Sequence, residues 1–196
     1  GVVIGVADDP GMHSSQNEQD SRNHAIAAKV PMLEPSDSEE CCTFTKLAYE
    51  LSEQFDTPVI LRLTTRVAHS CGIVTTEDRQ ERELIPYEKH PEKNVMLPAF
   101  ARPKHIKVEE RTKKLAEWAE TCDINKIEDN GSKIGVITSG IAYQYAKEAL
   151  GDTVSYLKLG MVNPLPVHLI QEFASKVEKV YVIEELDPVI EHFCRQ

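Results

Sequence analysis

The chain opens on "GVVIGV", a run with no polar side chain. A stretch apolar at every position, rather than at every second one, predicts a strand buried on both faces, as in a parallel sheet. After Met12 the pattern inverts, and ten residues pass without an apolar side chain. A helix is expected over 19–28, and "VPMLEP" reads as a short strand held between prolines. Ser36 followed three positions on by Glu39 has the spacing of a capping box, in which each side chain satisfies a free backbone N–H. Phe44, Leu47, Ala48, Leu51 and Phe55 then recur at helical spacing and define one core-facing stripe. "TPVILRLTT" closes the unit as a further buried strand.

The periodicity fails over 71–107, where charged residues mix with Pro86, Pro91, Pro98 and Pro103. That composition predicts a linker. "VEERTKKLAEWAETC" is expected to be a helix with Leu115, Trp118, Ala119 and Cys122 along one side. Alternation resumes with a strand over 134–138, a helix over 141–150 and the strand "TVSYLKL". The turn "VNPLP", a helix over 167–175, the strand "KVYVIEE" and a last helix from Pro188 follow. The expected fold class is therefore α/β, with two small parallel-sheet domains, 1–70 and 131–196, joined by a linker over 71–130 that carries one helix.

Charge narrows the partners. A net charge of −10 over 196 residues argues against nucleic acid and anionic membranes, which need a basic surface. No apolar stretch approaches a membrane span and no signal peptide opens the chain. Gly1 stands where an initiator Met would, and a buried strand without a preceding turn suggests a piece of a longer polypeptide. Five cysteines, Cys41, Cys42, Cys71, Cys122 and Cys194, lack the C-x-x-C spacing of zinc or iron–sulfur ligands. They read as reduced thiols and suggest a cytoplasmic setting.

In open parallel sheets, ligands bind beyond the carboxyl ends of the strands. "DDPGMHSSQNEQDSR" and "TTRVAHS" both lie at such ends, so His13, Ser14, Ser15, Arg22, Arg66 and His69 are candidate substrate-binding residues. A guanidinium matches both oxygens of a carboxylate, which makes Arg22, Arg66 and His69 candidate carboxylate partners. The alternative is structural: "DDPG" is a strong turn, Ser and Asn cap helices, and each Arg can form a surface ion pair. Asp8, Asp9 and His13 bunch in one turn with no distant ligand, which is weak support for a metal. Ser14 or Ser15 beside His13 is not a nucleophile–base pair either, since the base must arrive from elsewhere in the fold. "TSGIAYQ" matches neither glycine-rich phosphate motif. "VIEELDP" either caps the last helix or turns Glu184, Glu185 and Asp187 toward a partner domain.

Taken in order, "ADDPGMHSSQNEQDSR", "KVPMLEPSDSEE", "FDTPVILRLTTRVAHS", "KIGVITSGIAYQYAKEAL" and "VIEELDPVIE" resemble the alpha subunits of the indolepyruvate ferredoxin oxidoreductases. Those are thiamine-diphosphate-dependent 2-oxoacid:ferredoxin oxidoreductases. The resemblance implies that 1–70 is the later part of a thiamine-pyrimidine-binding domain and that 131–196 is a transketolase C-terminal-like domain. It implies an enzyme that oxidatively decarboxylates arylpyruvates such as indolepyruvate to aryl-acyl-CoA. Thiamine diphosphate with Mg2+ serves as electron sink and [4Fe-4S] clusters pass electrons to ferredoxin. It further implies a beta subunit as partner and coenzyme A as acyl acceptor.

The family's pyrimidine-activating glutamate, its Gly-Asp-Gly segment and its cluster-binding cysteine runs have no match here. No catalytic, cofactor or metal ligand is carried over, and the piece alone is expected to be inactive. What transfers is the wall of the site, at Arg22 and the "TRVAHS" segment. The alternative is that these domains serve assembly, with the polar loop meeting another subunit; a free-standing α/β binding module is a third reading.

Overall fold

The computed structural model describes residues 1–79, 81, 84 and 86–196. The chain builds β1 (Val3–Asp8), α1 (Arg22–Ala28), β2 (Met32–Leu33), α2 (Ser38–Phe55), β3 (Val59–Thr64) and α3 (Thr65–His69). It continues through α4 (Pro91–Asn94), α5 (Pro98–Thr121), β4 (Lys126–Glu128), β5 (Ile134–Ser139) and α6 (Gly140–Leu150). Last come β6 (Ser155–Leu159), β7 (Met161–Asn163), α7 (Val167–Ser175), β8 (Lys179–Ile183) and α8 (Val189–Cys194). The architecture is α/β, with two four-stranded sheets of order β1-β3-β2-β7 and β4-β6-β5-β8. Three strands in each are parallel, and β7 and β4 add an antiparallel edge.

The antiparallel edge of the first sheet comes from the second half of the chain. Met161 and Asn163 pair with Leu33 and Met32, and Glu34 N–H donates to the Gly160 carbonyl at 2.9 Å. The stretch after β6 thus leaves one sheet and enters the other, where the sequence suggested only a turn. "VPMLEP" gave no hint of this, because a strand of two paired residues has too little pattern to show who its neighbours are.

The expected stripe of α2 is realised. Phe44, Ala48 and Leu51 are buried with Leu33, Val59, Leu61, Ala119 and Met161, while Leu47, Phe55 and Trp118 pack at the margin. The helix cap lies one residue beyond the expected box. Asp37 is the N-cap and accepts from Glu40 N–H at 2.9 Å. Glu40 reaches back to Ser36, accepting from its N–H and its hydroxyl, each at 2.9 Å. The second sheet carries α6 on one face, through Val136, Ala146, Val154 and Tyr156. On the other face Ile137, Leu157, Leu159, Ile170, Phe173 and Ile190 join it to α7 and α8.

Two expectations need correction. β1 is not buried on both faces: among the described residues it is an edge strand paired with β3, and Ile4 is 43% exposed. An unbroken apolar run marks two faces that want covering, not two faces that are covered. The stretch taken as linker is helical from Pro98 onward. Proline at the first helical position forfeits no bond, and Pro103 lies inside the helix at the loss of one. The remainder of that linker falls partly outside the described residues. No helix among the described residues is long and apolar enough to cross a membrane.

Candidate active-site rim

Parallel pairing of β1 with β3 sets Asp8 opposite Thr64. The residues that follow, Asp9 and Thr65, therefore leave the sheet side by side on its carboxyl rim. Thr65 Oγ1 donates to Asp9 Oδ1 at 2.8 Å, which ties the polar loop to the start of α3. Asp9 is also the centre about which the loop is wound. Its carboxylate accepts from the backbone N–H groups of His13 at 3.0 Å, Ser14 at 2.7 Å and Ser15 at 2.9 Å. Its own N–H donates to Gln19 Oε1 at 3.1 Å, and Met12 takes the left-handed φ of 50° that the tight reversal requires.

The Ser14 N–H, followed by those of His13 and Ser15 and the Thr65 hydroxyl, holds the Asp9 carboxyl far below the usual range despite its burial. A depressed folded-state pKa means a contribution present above the unfolded value of 3.8 and lost as pH falls below it. Backbone amides of Ser14 and Ser15 are therefore expected to stay protected from hydrogen exchange at neutral pH and to lose protection progressively below about pH 4. Asp9→Asn should abolish that protection even at pH 7, because an amide nitrogen placed where Oδ2 now sits faces donors with a donor. Unchanged protection in the variant would remove Asp9 as the organiser of the loop.

The candidate residues separate into two groups. His13, Ser14, Arg66 and His69 are exposed and Ser15 is half-buried. The His13 ring folds over Gly11, where an added Cβ would lie 2.6 Å from its Nε2. The Asp9–Thr65 tie brings the 13–15 loop and α3 to one rim, and the side chains of Arg66 and His69 have no ion-pair or hydrogen-bond partner among the described residues.

Arg22 lies apart from these, and the carboxylates it grips are the chain's own. It is 1% exposed and engages Asp20 through Nε and Nη2 at 2.9 and 2.6 Å. Nη1 donates to Glu184 at 2.6 Å, and Nη2 to the carbonyls of Glu185 and Asp187 at 2.7 and 2.8 Å. Glu184 in turn caps α8, accepting from Ile190 and Glu191 N–H at 3.0 Å each. Of the alternatives for the acidic run, both hold at once: it caps the last helix and faces the other sheet.

Sequence reasoning missed Arg62, the companion of Arg22. It lies in the middle of β3 and is fully buried, donating to Asp8 at 2.6 Å and to Glu34 at 2.7 Å. Asp8 also accepts from Ser21 N–H and hydroxyl at 2.8 and 2.7 Å. Gly140, at φ +49°, opens α6 against Glu34, whose Oε1 would lie 2.5 Å from any Cβ there; only glycine permits this approach. The one available signal was a charged residue inside "VILRLT", where a buried strand tolerates a cation only with partners.

Five acids (Asp8, Asp20, Glu34, Glu184 and Glu185) thus meet two arginines where the carboxyl ends of both parallel sheets face each other. Burial, with the nearby Glu34 charge, pushes the Glu185 carboxyl up, against the pull of the Arg62 and Arg22 charges. Arg62 Nη2, Thr64 Oγ1, Thr138 Oγ1 and Glu185 Oε2 are buried without a hydrogen-bond partner among the described residues.

The donor set does not fit a metal or an iron–sulfur cluster. No group of three His, Cys, Asp or Glu side chains among the described residues is placed to hold a metal ion. All five cysteines are free thiols, and Cys41 and Cys42 are neighbours on a helix.

No family model matches the sequence. Curated relatives do. The indolepyruvate oxidoreductase subunit IorA of Archaeoglobus fulgidus is 41% identical over all of this chain and 32% of its own length. That of Methanothermobacter thermautotrophicus is 44% identical over 97% of the chain and 32% of its own length. IorA of Pyrococcus horikoshii is 44% identical over 97% and 31%. The chain therefore spans about a third of the curated relatives it matches. Among solved structures, the 2-oxoglutarate:ferredoxin oxidoreductase from Magnetococcus marinus with 2-oxoglutarate, coenzyme A and succinyl-CoA bound superposes with a TM-score of 0.67. It shares 16% identity and covers 98% of this chain and 43% of that one, a likeness of fold.

Proposed function

We propose that this chain, a homologue of indolepyruvate oxidoreductase subunit IorA over nearly its whole length, forms the substrate-side wall of a 2-oxoacid:ferredoxin oxidoreductase. The parent enzyme oxidatively decarboxylates arylpyruvates such as indolepyruvate to aryl-acyl-CoA in the cytoplasm, with ferredoxin as electron acceptor and a beta subunit as partner. Thiamine diphosphate with Mg2+ and [4Fe-4S] clusters belong to that parent. Their ligands do not fit within this chain, so no step here runs through them, and the chain alone is inactive. Residues 1–70 act as part of a thiamine-pyrimidine-binding domain and 131–196 as a transketolase C-terminal-like domain, with 71–130 between them.

The observation that carries this reading is the rim. A parallel-sheet register sets an Asp9-wound loop beside α3, and Arg66 and His69 stand there at the strand ends without a partner among the described residues, where ligands of such sheets bind. Arg66 and His69 would orient the arylpyruvate carboxylate, and His13, Ser14 and Ser15 would line the approach.

The test is substrate-dependent ferredoxin reduction by the assembled parent enzyme. Reduction should require coenzyme A and favour indolepyruvate over 2-oxoglutarate by kcat/KM. A preference for 2-oxoglutarate, or no reduction with either, would refute the arylpyruvate assignment.

A second reading, that these domains serve assembly, is favoured by the exposure of His13, Ser14, Arg66 and His69, since the polar loop could meet another subunit there rather than substrate. The two readings differ over the rim, since only the first places substrate against Arg66.

A further inference from the structure

A cavity of about 390 Å3 opens between the C-terminal end of α2, α4 and the first half of α5, with Asp56 just before the start of β3 and the rim just past its end. Lys104, Lys107 and Arg111 line it from α5, at spacings that put them on one helix face. Their charges are not answered locally. Lys104 Nζ donates to the Lys93 carbonyl at 2.5 Å, and Lys107 has no partner among the described residues. Arg111 Nη1 donates to the Asp56 carbonyl at 2.9 Å, while its Nε is buried without a hydrogen bond to a described residue.

One of the two carboxylates in the wall is engaged by a cation. Asp56 holds Lys93 at 2.7 Å, and Glu92 lies against His90 at 3.4 Å. Lys104, Lys107 and Arg111 therefore line the cavity without a carboxylate partner among the described residues, and with Lys93 they outnumber the two carboxylates of the wall, Asp56 and Glu92, on a chain whose net charge is −10. Burial without an ion pair also pushes the Arg111 guanidinium down from its ordinary value, with Asp56 acting weakly the other way, as expected of a cation awaiting an anion. Phe100 and Val108 complete the wall with apolar surface.

We propose that this cavity is a binding site for an organic polyphosphate bearing a flat ring, with Lys104, Lys107 and Arg111 on the phosphates and Phe100 against the ring. A multiply charged phosphate suits three unpaired cations, and an aromatic side chain gives a ring a surface to pack on. A free adenine nucleotide and the nucleotide end of coenzyme A share this chemistry. The cavity is concave and small, which favours such a molecule over the broad acidic face of a protein.

Photo-crosslinking of the full-length parent with 2-azido-ADP, followed by peptide mapping, tests the site. Label should appear in the 98–111 peptide and be displaced by unlabelled ADP or coenzyme A, the more effective competitor identifying the source. Lys104→Gln and Lys107→Gln should each weaken that labelling about tenfold or more, the size of a lost charge-assisted hydrogen bond. Neither side chain is fully buried, so folding should survive, and circular dichroism checks it. Label only outside 98–111, label unaffected by either variant, or capture of an acidic protein with no ADP binding would overturn the proposal.

Discussion

Replacing Arg62 by alanine is expected to destabilise the chain by about 3–5 kcal/mol, the cost of leaving buried charges without their partner. Arg62 is fully buried, and two carboxylates, Asp8 and Glu34, depend on it at 2.6 and 2.7 Å. Removing the cation leaves both carboxylates buried in one junction, with Ser21 still donating to Asp8 and Arg22 the remaining cation near Glu34. Arg62→Lys should recover only part of the loss. An ammonium keeps the charge but not the fork that spans two carboxylates from one strand position. Urea denaturation of the three proteins measures the order, wild type above Lys above Ala. Equal midpoints would mean the junction is solvated and contributes little.

The second large effect concerns Arg22. Its alanine variant is expected to lose about 3 kcal/mol or more by the same reasoning, and the loss should have a location. Arg22 holds Glu184 and the carbonyls of Glu185 and Asp187, so the start of α8 should come loose with it. Hydrogen-exchange protection at Ile190 and Glu191, whose N–H groups rest on Glu184, should fall before protection in β5 or β6. A variant as stable as wild type, with α8 protected, would return Arg22 to the pool of candidate substrate ligands.

The contrast between Arg22 and Arg66 shows what the sequence could and could not say. Both arginines lie in the segment that follows a strand, β1 for Arg22 and β3 for Arg66, and both suit a carboxylate. What separates them is Glu184, 162 residues further along. An ion pair across that distance leaves no local trace in composition or spacing. Strand identity was legible because β1 and β3 are apolar at nearly every position, and the α2 stripe because its period is regular. Edge and centre were not legible, since β1 and β3 look alike in pattern and differ only in what lies beside them. The α5 start was masked by Pro98 and Pro103, residues that usually end helices but are tolerated near their beginnings. Asp9 was read as a turn residue, which it is; that its carboxylate gathers three backbone N–H groups and Thr65 follows from coordinates alone.

The most direct test compares the KM for arylpyruvate of Arg66→Ala and Arg22→Ala in the assembled parent enzyme, at a temperature where both remain folded. If the exposed rim faces substrate and the buried junction only joins the sheets, Arg66→Ala raises KM about tenfold or more, as expected for a lost carboxylate contact. Arg22→Ala should then leave KM within about twofold while lowering stability. A raised KM in Arg22→Ala with Arg66→Ala unchanged would contradict the account.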